Sequence, residues 1–535
     1  MRRRSVGHWL VASVAVVAIA AASCGDSGGA AKSAATTAGG APGTTAPATT
    51  LAPRKGGSLS IADKAEIATL DPVKLTGSSS VGANQAFAIF DSLLINDTTT
   101  GKLAPQLALS MDSPDAKVWT LKLRPNVKFS DGTPLDAAAV VFNWKRLQDT
   151  ANASPNRVTA NQITAMDIVD PTTLKVTLTA PNSGFANLLT DRLGFIGSPT
   201  AIQANPTGFA SKPTGAGPFV LKEWIRDDRM TLTRNPTYWN APRPYLDELV
   251  YRVIIDGTQR ERAFESKELT INRTTAPADL SAAKKVNAQV TTFNSNLGTE
   301  ILLNHRVAPF NDISVREAMD YAFDPADVNA VLNDGSAPMM TSLFAPGSPW
   351  RVDSLKIPAY NKAEAQRLFD AYKTKTGSAL SFKFTVFQNP ESQAFGQYFQ
   401  AKLNAYGVKV DLEVLQSAAV VDAVTKGAFN AVHWNFPVGP DPEPIVYETF
   451  NSKSPTNRFG YSNAVVDTAL DQARATTDPD ARKKAYQTVQ EQVLKDHVSV
   501  WLWHGFTTYI HRPDVIDLAL SGDGIVLADR VWLLT

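Results

Sequence analysis

Few side chains in this sequence are placed to do chemistry. Cys24 is the only cysteine in 535 residues, so its thiol has no disulfide partner within the chain. Ser27 sits in Gly25-Asp26-Ser27-Gly28-Gly29, a string compatible with a serine nucleophile. A nucleophilic serine also needs a positioned histidine base and an oxyanion hole, and the surrounding Gly/Ala/Ser/Thr stretch supplies neither. His497, His504 and His511 recur every seven residues. Val500-Trp501-Leu502-Trp503 and Thr507-Thr508-Tyr509-Ile510 nevertheless read as strand, interrupted at Gly505. No histidine pair stands at a ligand spacing backed by carboxylates or cysteine, so neither a metal nor a cofactor is expected. The sequence holds no zinc-protease helix, phosphate loop or Gly-x-Ser-x-Gly turn, and an enzyme is not expected. What remains is recognition chemistry. Ala431-Val432-His433-Trp434-Asn435-Phe436 runs into a proline-dense loop carrying Asp441, and His433, Trp434 and Phe436 are candidates for stacking on a ring.

Those residues must first be carried to their compartment. Arg2, Arg3 and Arg4 precede an apolar stretch from Trp9 to Ala20, then the small residues Ala21, Ala22 and Ser23. This is the order of a secretory signal peptide, 1–23, and it is too short for a membrane span, which takes roughly 20 apolar residues. Cys24 at its boundary resembles the cysteine of the bacterial lipobox, which is acylated and anchors the new N-terminus. Ala21 stands where lipoboxes usually carry Leu. Cleavage there removes three arginines and no acid, taking the formal charge from +1 to −2. A near-neutral body gives no electrostatic reason to bind nucleic acid. Residues 24–54 are almost all Gly, Ala, Ser, Thr and Pro and read as a disordered linker with a reach of about 30 Å.

The folded body starts at Lys55-Gly56-Gly57. Ser58–Ala62 and Trp119–Leu123 alternate as strands. In Phe129-Ser130-Asp131-Gly132-Thr133-Pro134-Leu135, Asp131-Gly132 signals a turn. Asp136 is placed to cap a helix with Val140, Val141, Trp144 and Leu147 on one face. Gly215 and Gly217 read as turn glycines at positive φ, and Tyr238 and Trp239 as packing beneath a loop. With a 44% hydrophobic fraction, residues 55–535 allow two or more domains of roughly 100–200 residues each.

Taken in order, these segments resemble one family. Lys55-Gly56-Gly57 and Leu70-Asp71-Pro72 are followed by the Phe129–Leu135 segment with Ala138, Val140, Val141 and Phe142. Gly215-Ala216-Gly217-Pro218-Phe219, Arg234-Asn235-Pro236-Thr237-Tyr238-Trp239 and Pro244-Tyr245-Leu246-Asp247-Glu248 come next. Asn304, Pro309-Phe310, Val315-Arg316-Glu317-Ala318, Tyr321-Ala322-Phe323-Asp324, Gly460-Tyr461-Ser462-Asn463 and Val466-Asp467 complete the series. The chain from about 55 to 535 resembles the bacterial extracellular solute-binding proteins of family 5, the dipeptide-, oligopeptide- and nickel-binding receptors of ABC importers.

The resemblance implies an α/β fold of the periplasmic-binding-protein type II kind, two lobes around a cleft with an inserted third domain. It assigns 55–97, 190–290 and 506–535 to lobe I, 98–189 to the inserted domain and 291–505 to lobe II. It implies a monomeric receptor exported to the outer face of the cell membrane, or to the periplasmic space. Its partners would be a peptide or other small solute, and an ABC permease with its ATPase. An oligosaccharide or other non-peptide ligand, or a role as a solute sensor, are the alternatives. In peptide-binding relatives an aspartate three residues after the strand-ending tryptophan holds the ligand's ammonium; counted from Trp434, that position is Pro437. Asp441 is the next carboxylate along the loop. Thr76, Ser78 and Ser79 fall in a segment expected at the cleft mouth, and Asn294, Ser295 and Asn296 lie near the crossing into the second lobe.

Overall fold

The computed structural model describes residues 51–63, 65–75, 82–98, 100–274, 283, 287–436 and 438–534. Cys24, linker residues 25–50 and Thr76, Ser78 and Ser79 lie outside these.

A ten-stranded sheet runs through the molecule. From one edge its strands are Lys409–Leu415, Ser381–Phe387, Ala431–Asn435, Gln289–Leu303, Ser499–His511, Ile271–Thr274, Ser58–Asp63, Glu248–Val253, Arg229–Arg234 and Phe219–Ile225. Gln289–Leu303 and Ser499–His511 are the long ones, paired antiparallel from Gln289↔His511 to Leu302↔Ser499. One end of this pair joins Ile271–Thr274, and the other joins Ala431–Asn435. The two halves of the sheet therefore share one two-stranded crossing. Its ladder breaks register between Asn294 and Gly298. An ideal Cβ on Gly298 would stand 2.2 Å from both the Gly505 nitrogen and the Trp503 carbonyl, so only glycine fits that backbone approach.

Ile301 and Leu303 face one apolar cluster with Phe382, Phe384 and Phe399, whereas Leu302 faces another with Val432, Trp501, Leu470 and Val489. Successive strand residues point to opposite faces, and a sheet covered on both faces needs the continuous apolar run found here. The other half packs Leu59, Ile61, Leu232 and Leu249 on the helix Ala83–Phe90 and on Val526, Leu527 and Val531 near the chain's end. A separate four-stranded sheet, Ala108–Asp112, Val118–Leu123, Thr173–Leu178 and Ile163–Asp170, carries its own core around Trp119, Trp144 and Phe185.

The family-like segments earn their residues here. Asp136 caps the helix Ala137–Gln148 through the Ala139 N–H at 2.9 Å, and Val140, Trp144 and Leu147 are buried. Arg146 of that helix grips Asp71 with bonds of 3.1 and 2.7 Å, tying Leu70-Asp71-Pro72 to the segment expected from sequence. Tyr238 and Trp239 donate to the same Oδ2 of buried Asp91 at 2.9 and 3.1 Å. They pack as expected, but around a carboxylate. The expectation for Gly215 and Gly217 is corrected, because neither adopts positive φ. A Cβ on Gly215 would lie 2.2 Å from the Ile89 carbonyl, and one on Gly217 2.5 Å from that of Ala88. These glycines let the chain pass against the helix Ala83–Phe90.

Candidate functional site

Beside the crossing lies a half-open cleft in two adjoining parts, sharing Phe293, Gly439 and Pro440 as walls. The larger part, about 460 Å³, is lined by Thr291–Asn294 and Asn296 of the crossing strand, by Ala345–Pro349 and by Leu518–Leu520. That volume falls among small-ligand pockets, roughly 300–1,000 Å³. The smaller, about 90 Å³, is lined by Asn96, Asp191, Arg192, Asp441, Glu443 and Asp523 among others. Bonds cross the gap alongside: Ser183 donates from N to the Arg474 carbonyl at 2.9 Å and from Oγ to that of Ala473 at 2.8 Å. Arg192 pairs with Glu448 at 3.2 Å.

The loop 438–444 forms one wall. Its prolines have no N–H to donate, so its carbonyls are held from outside. Asn296 donates to the Gly439 carbonyl at 2.6 Å, and Trp350 Nε1 to that of Pro440 at 2.7 Å. Ser295 Oγ accepts the Val438 N–H at 2.9 Å. Arg482 of the helix Pro479–Lys495 donates to both oxygens of Asp441 at 2.8 and 2.7 Å, and Arg474 donates to Glu443 at 3.1 Å. Each carboxylate thus faces an arginine through charge-assisted bonds, although burial still pushes the Glu443 carboxyl up.

Asp523 is treated differently. Asn96 donates to its two oxygens at 3.0 and 2.9 Å. Among the described residues no lysine, arginine or histidine forms an ion pair with it. Burial, and then the charge of Asp191, push its carboxyl up to about 7.

The candidate residues separate accordingly. Asn296 lines the larger space, together with Asn294, and Ser295 lines the smaller. Asp441 lines the smaller space, but its carboxylate is taken by Arg482. His433 and Trp434 are neighbours on one strand and point to opposite faces, so they build no common platform. His433 stacks on Phe395, centroids 3.8 Å apart, and its Nδ1 bonds the Ser392 hydroxyl at 2.8 Å. Burial there lowers its pKa to about 3. Trp434 stacks on Phe387 at 6.3 Å and meets Phe436 edge-on at 6.5 Å. Neither His433, Trp434 nor Phe436 lines the two spaces. Pro437 lies outside the described residues. His497 pairs with Asp320 at 2.8 Å, His504 bonds the Asn296 carbonyl and His511 lies 3.2 Å from the Thr291 hydroxyl. Sequence reasoning missed Asn96, Asp191, Arg482 and Asp523. Only the solvent-averse loop around Asp441 hinted that a compensating arginine was needed.

The sequence profile of the bacterial extracellular solute-binding proteins, family 5 (middle region), matches residues 102–458. The Probable D,D-dipeptide-binding periplasmic protein DdpA of Escherichia coli (strain K12) is 30% identical over 407 residues, 73% of this chain and 77% of that protein. The glutathione-binding protein GsiB of the same strain is 28% identical over 407 residues, covering 73% and 78%. Among solved structures, the periplasmic binding protein DppA from Helicobacter pylori in complex with the peptide STSA superimposes with a TM-score of 0.77 at 25% identity, covering 90% of this chain and 99% of that one. NikA from Brucella suis in complex with Fe(III)-EDTA gives 0.79 at 22% identity, covering 89% and 100%. The fold is thus the type II periplasmic-binding one expected from the sequence, and the chain belongs to the bacterial extracellular solute-binding proteins of family 5.

Proposed function

We propose that the chain is the capture receptor of an ABC importer, taking a peptide or similar small solute between its lobes and presenting it to the permease and its ATPase. The observation that carries this is the space beside the Gln289–Leu303/Ser499–His511 crossing. Its walls come from residues before, on and after that crossing, and bonds from Ser183 and Arg192 reach across its flank. A pocket so built empties and fills by rotation about the crossing, and closure shields the solute from water. The proposed residues are Asn296 and the loop 438–444, with Asp441 as a strut of that loop.

Cys24 is proposed as a lipidated anchor and residues 25–54 as the tether holding the receptor at the outer face of the membrane. Among the described residues no helix is long and apolar enough to cross a membrane. Relatives named for a dipeptide and for glutathione support the peptide class. Deletion of the gene tests the proposal: uptake of one solute class should be lost. Unchanged uptake across peptide, sugar and metal-chelate panels would contradict it.

A further inference from the structure

We propose that the captured solute carries a positively charged group and that Asp523 is its anchor; this rests on the cleft being the solute site. The cavity's charges lead there. Asp441 is neutralised by Arg482, Glu443 by Arg474, and Arg192 on the opposite wall is engaged by Glu448. Among the described residues Asp523 keeps only uncharged donors, the Asn96 amide and the Thr190 hydroxyl. Asp191 lines the same space and adds to its negative potential. A desolvated carboxylate without a cation is costly. A ligand ammonium or guanidinium placed there would make charge-assisted bonds that offset the cost of its lost water.

Position supports the same assignment. Asp523 comes from the C-terminal segment, yet its Oδ1 lies 3.1 Å from where a Cβ would stand on Gly439, in the loop forming the facing wall. The carboxylate is therefore at the seam where the two walls meet, where closure would trap a bound cation. Residues 434–438, Trp-Asn-Phe-Pro-Val, offer no carboxylate that could serve instead.

A proton is displaced as a consequence. With its carboxyl raised to about 7 by burial and by Asp191, Asp523 is partly protonated at neutral pH, and an arriving cation favours the ionised form. The other charged groups facing the site, Arg192 with Glu448, Asp441 with Arg482 and Glu443 with Arg474, are already paired.

The test uses the full chain and defined probes: di-, tri- and tetrapeptides with free amines, each beside its N-acetylated counterpart. Putrescine and choline serve as non-peptide cations, maltose as a neutral solute and citrate as an anion. Titration calorimetry should find that every tight probe is cationic and that acetylation abolishes binding. D523N should weaken the best probe by about tenfold or more, with no loss of melting temperature in the unliganded protein. Binding near pH 7 should release protons to the buffer in wild type and much less in D523N. Exposed D353N should change none of this. A neutral or anionic probe binding as tightly as the cations, or D523N binding within twofold of wild type, would overturn the assignment while leaving solute capture standing. If no probe of any class bound, the capture proposal would fall and take this one with it.

Discussion

Arg482 and Asp441 meet through two parallel hydrogen bonds of 2.7 and 2.8 Å, with side chains only 9% and 12% exposed. This pair fastens the proline-dense loop, whose Gly439 and Pro440 wall both parts of the candidate site, to the helix Pro479–Lys495. Arg482 also lies over the Trp350 ring at 4.8 Å, and Trp350 holds the Pro440 carbonyl. One guanidinium thus supports the wall at two points.

Arg482→Met should therefore cost about 3 kcal/mol, because it leaves Asp441 buried without its countercharge. Urea unfolding measures this. The double variant Arg482→Met/Asp441→Leu should recover most of the loss, since the penalty lies in the orphaned charge rather than in the missing attraction. A loss below about 1 kcal/mol in the single variant would show the pair to be worth no more than a surface ion pair.

Glu300 gives the second prediction. It is fully buried between Trp434 and Trp501 in the ladder, and neither carboxylate oxygen has a hydrogen-bond partner among the described residues. Burial raises its carboxyl from 4.5 to about 8, against the lowering influence of the neighbouring Ser499 hydroxyl. The folded state then holds a proton that the unfolded chain releases above about 4.5. The resulting contribution is fully present below that pH and is lost as pH rises toward 8. Glu300→Gln removes this slope. Its melting temperature should exceed wild type's by more at pH 8 than at pH 5; an equal difference at both would contradict the assignment.

How far the sequence foretold this molecule follows from where each role originates. Asp136, Trp144 and Leu147 were legible because a cap and a helical period are local patterns. Strand alternation alone separates His433 from Trp434, and local apolar content hid it. Gly215 and Gly217 were misread as positive-φ turn residues, because a close approach to Ala88 and Ile89 leaves no sign in the glycine's own neighbourhood. Asp523 was invisible. Ser521-Gly522-Asp523-Gly524 reads as a turn, and its meaning comes from Asn96 and Gly439, distant in sequence.

Gly298→Val tests the crossing. A Cβ 2.2 Å from the Gly505 nitrogen and the Trp503 carbonyl must part the two long strands, at a cost of about 1–3 kcal/mol. Solute-dependent stabilisation should fall further than stability itself, because the same strands carry both lobes. Thermal melts with and without solute separate the two effects. A folded variant that responds to solute like wild type would show that the crossing tolerates distortion.

Cys24→Ser tests the anchor. The variant should move from the membrane fraction to the soluble one while keeping its solute affinity. Equal membrane association of both proteins would contradict lipid anchoring and leave the solute site untouched.

Capture by closure is the central claim, and a distance across the cleft tests it most directly. In a Cys24→Ser background, nitroxide labels would go at the exposed positions Thr150→Cys, just after the helix Ala137–Gln148, and Lys484→Cys, on the helix Pro479–Lys495. Pulsed dipolar spectroscopy should find a broad or long distance distribution without solute, and a shorter, narrower one once a binding solute is added. A distribution that a bound solute leaves unchanged would contradict the account.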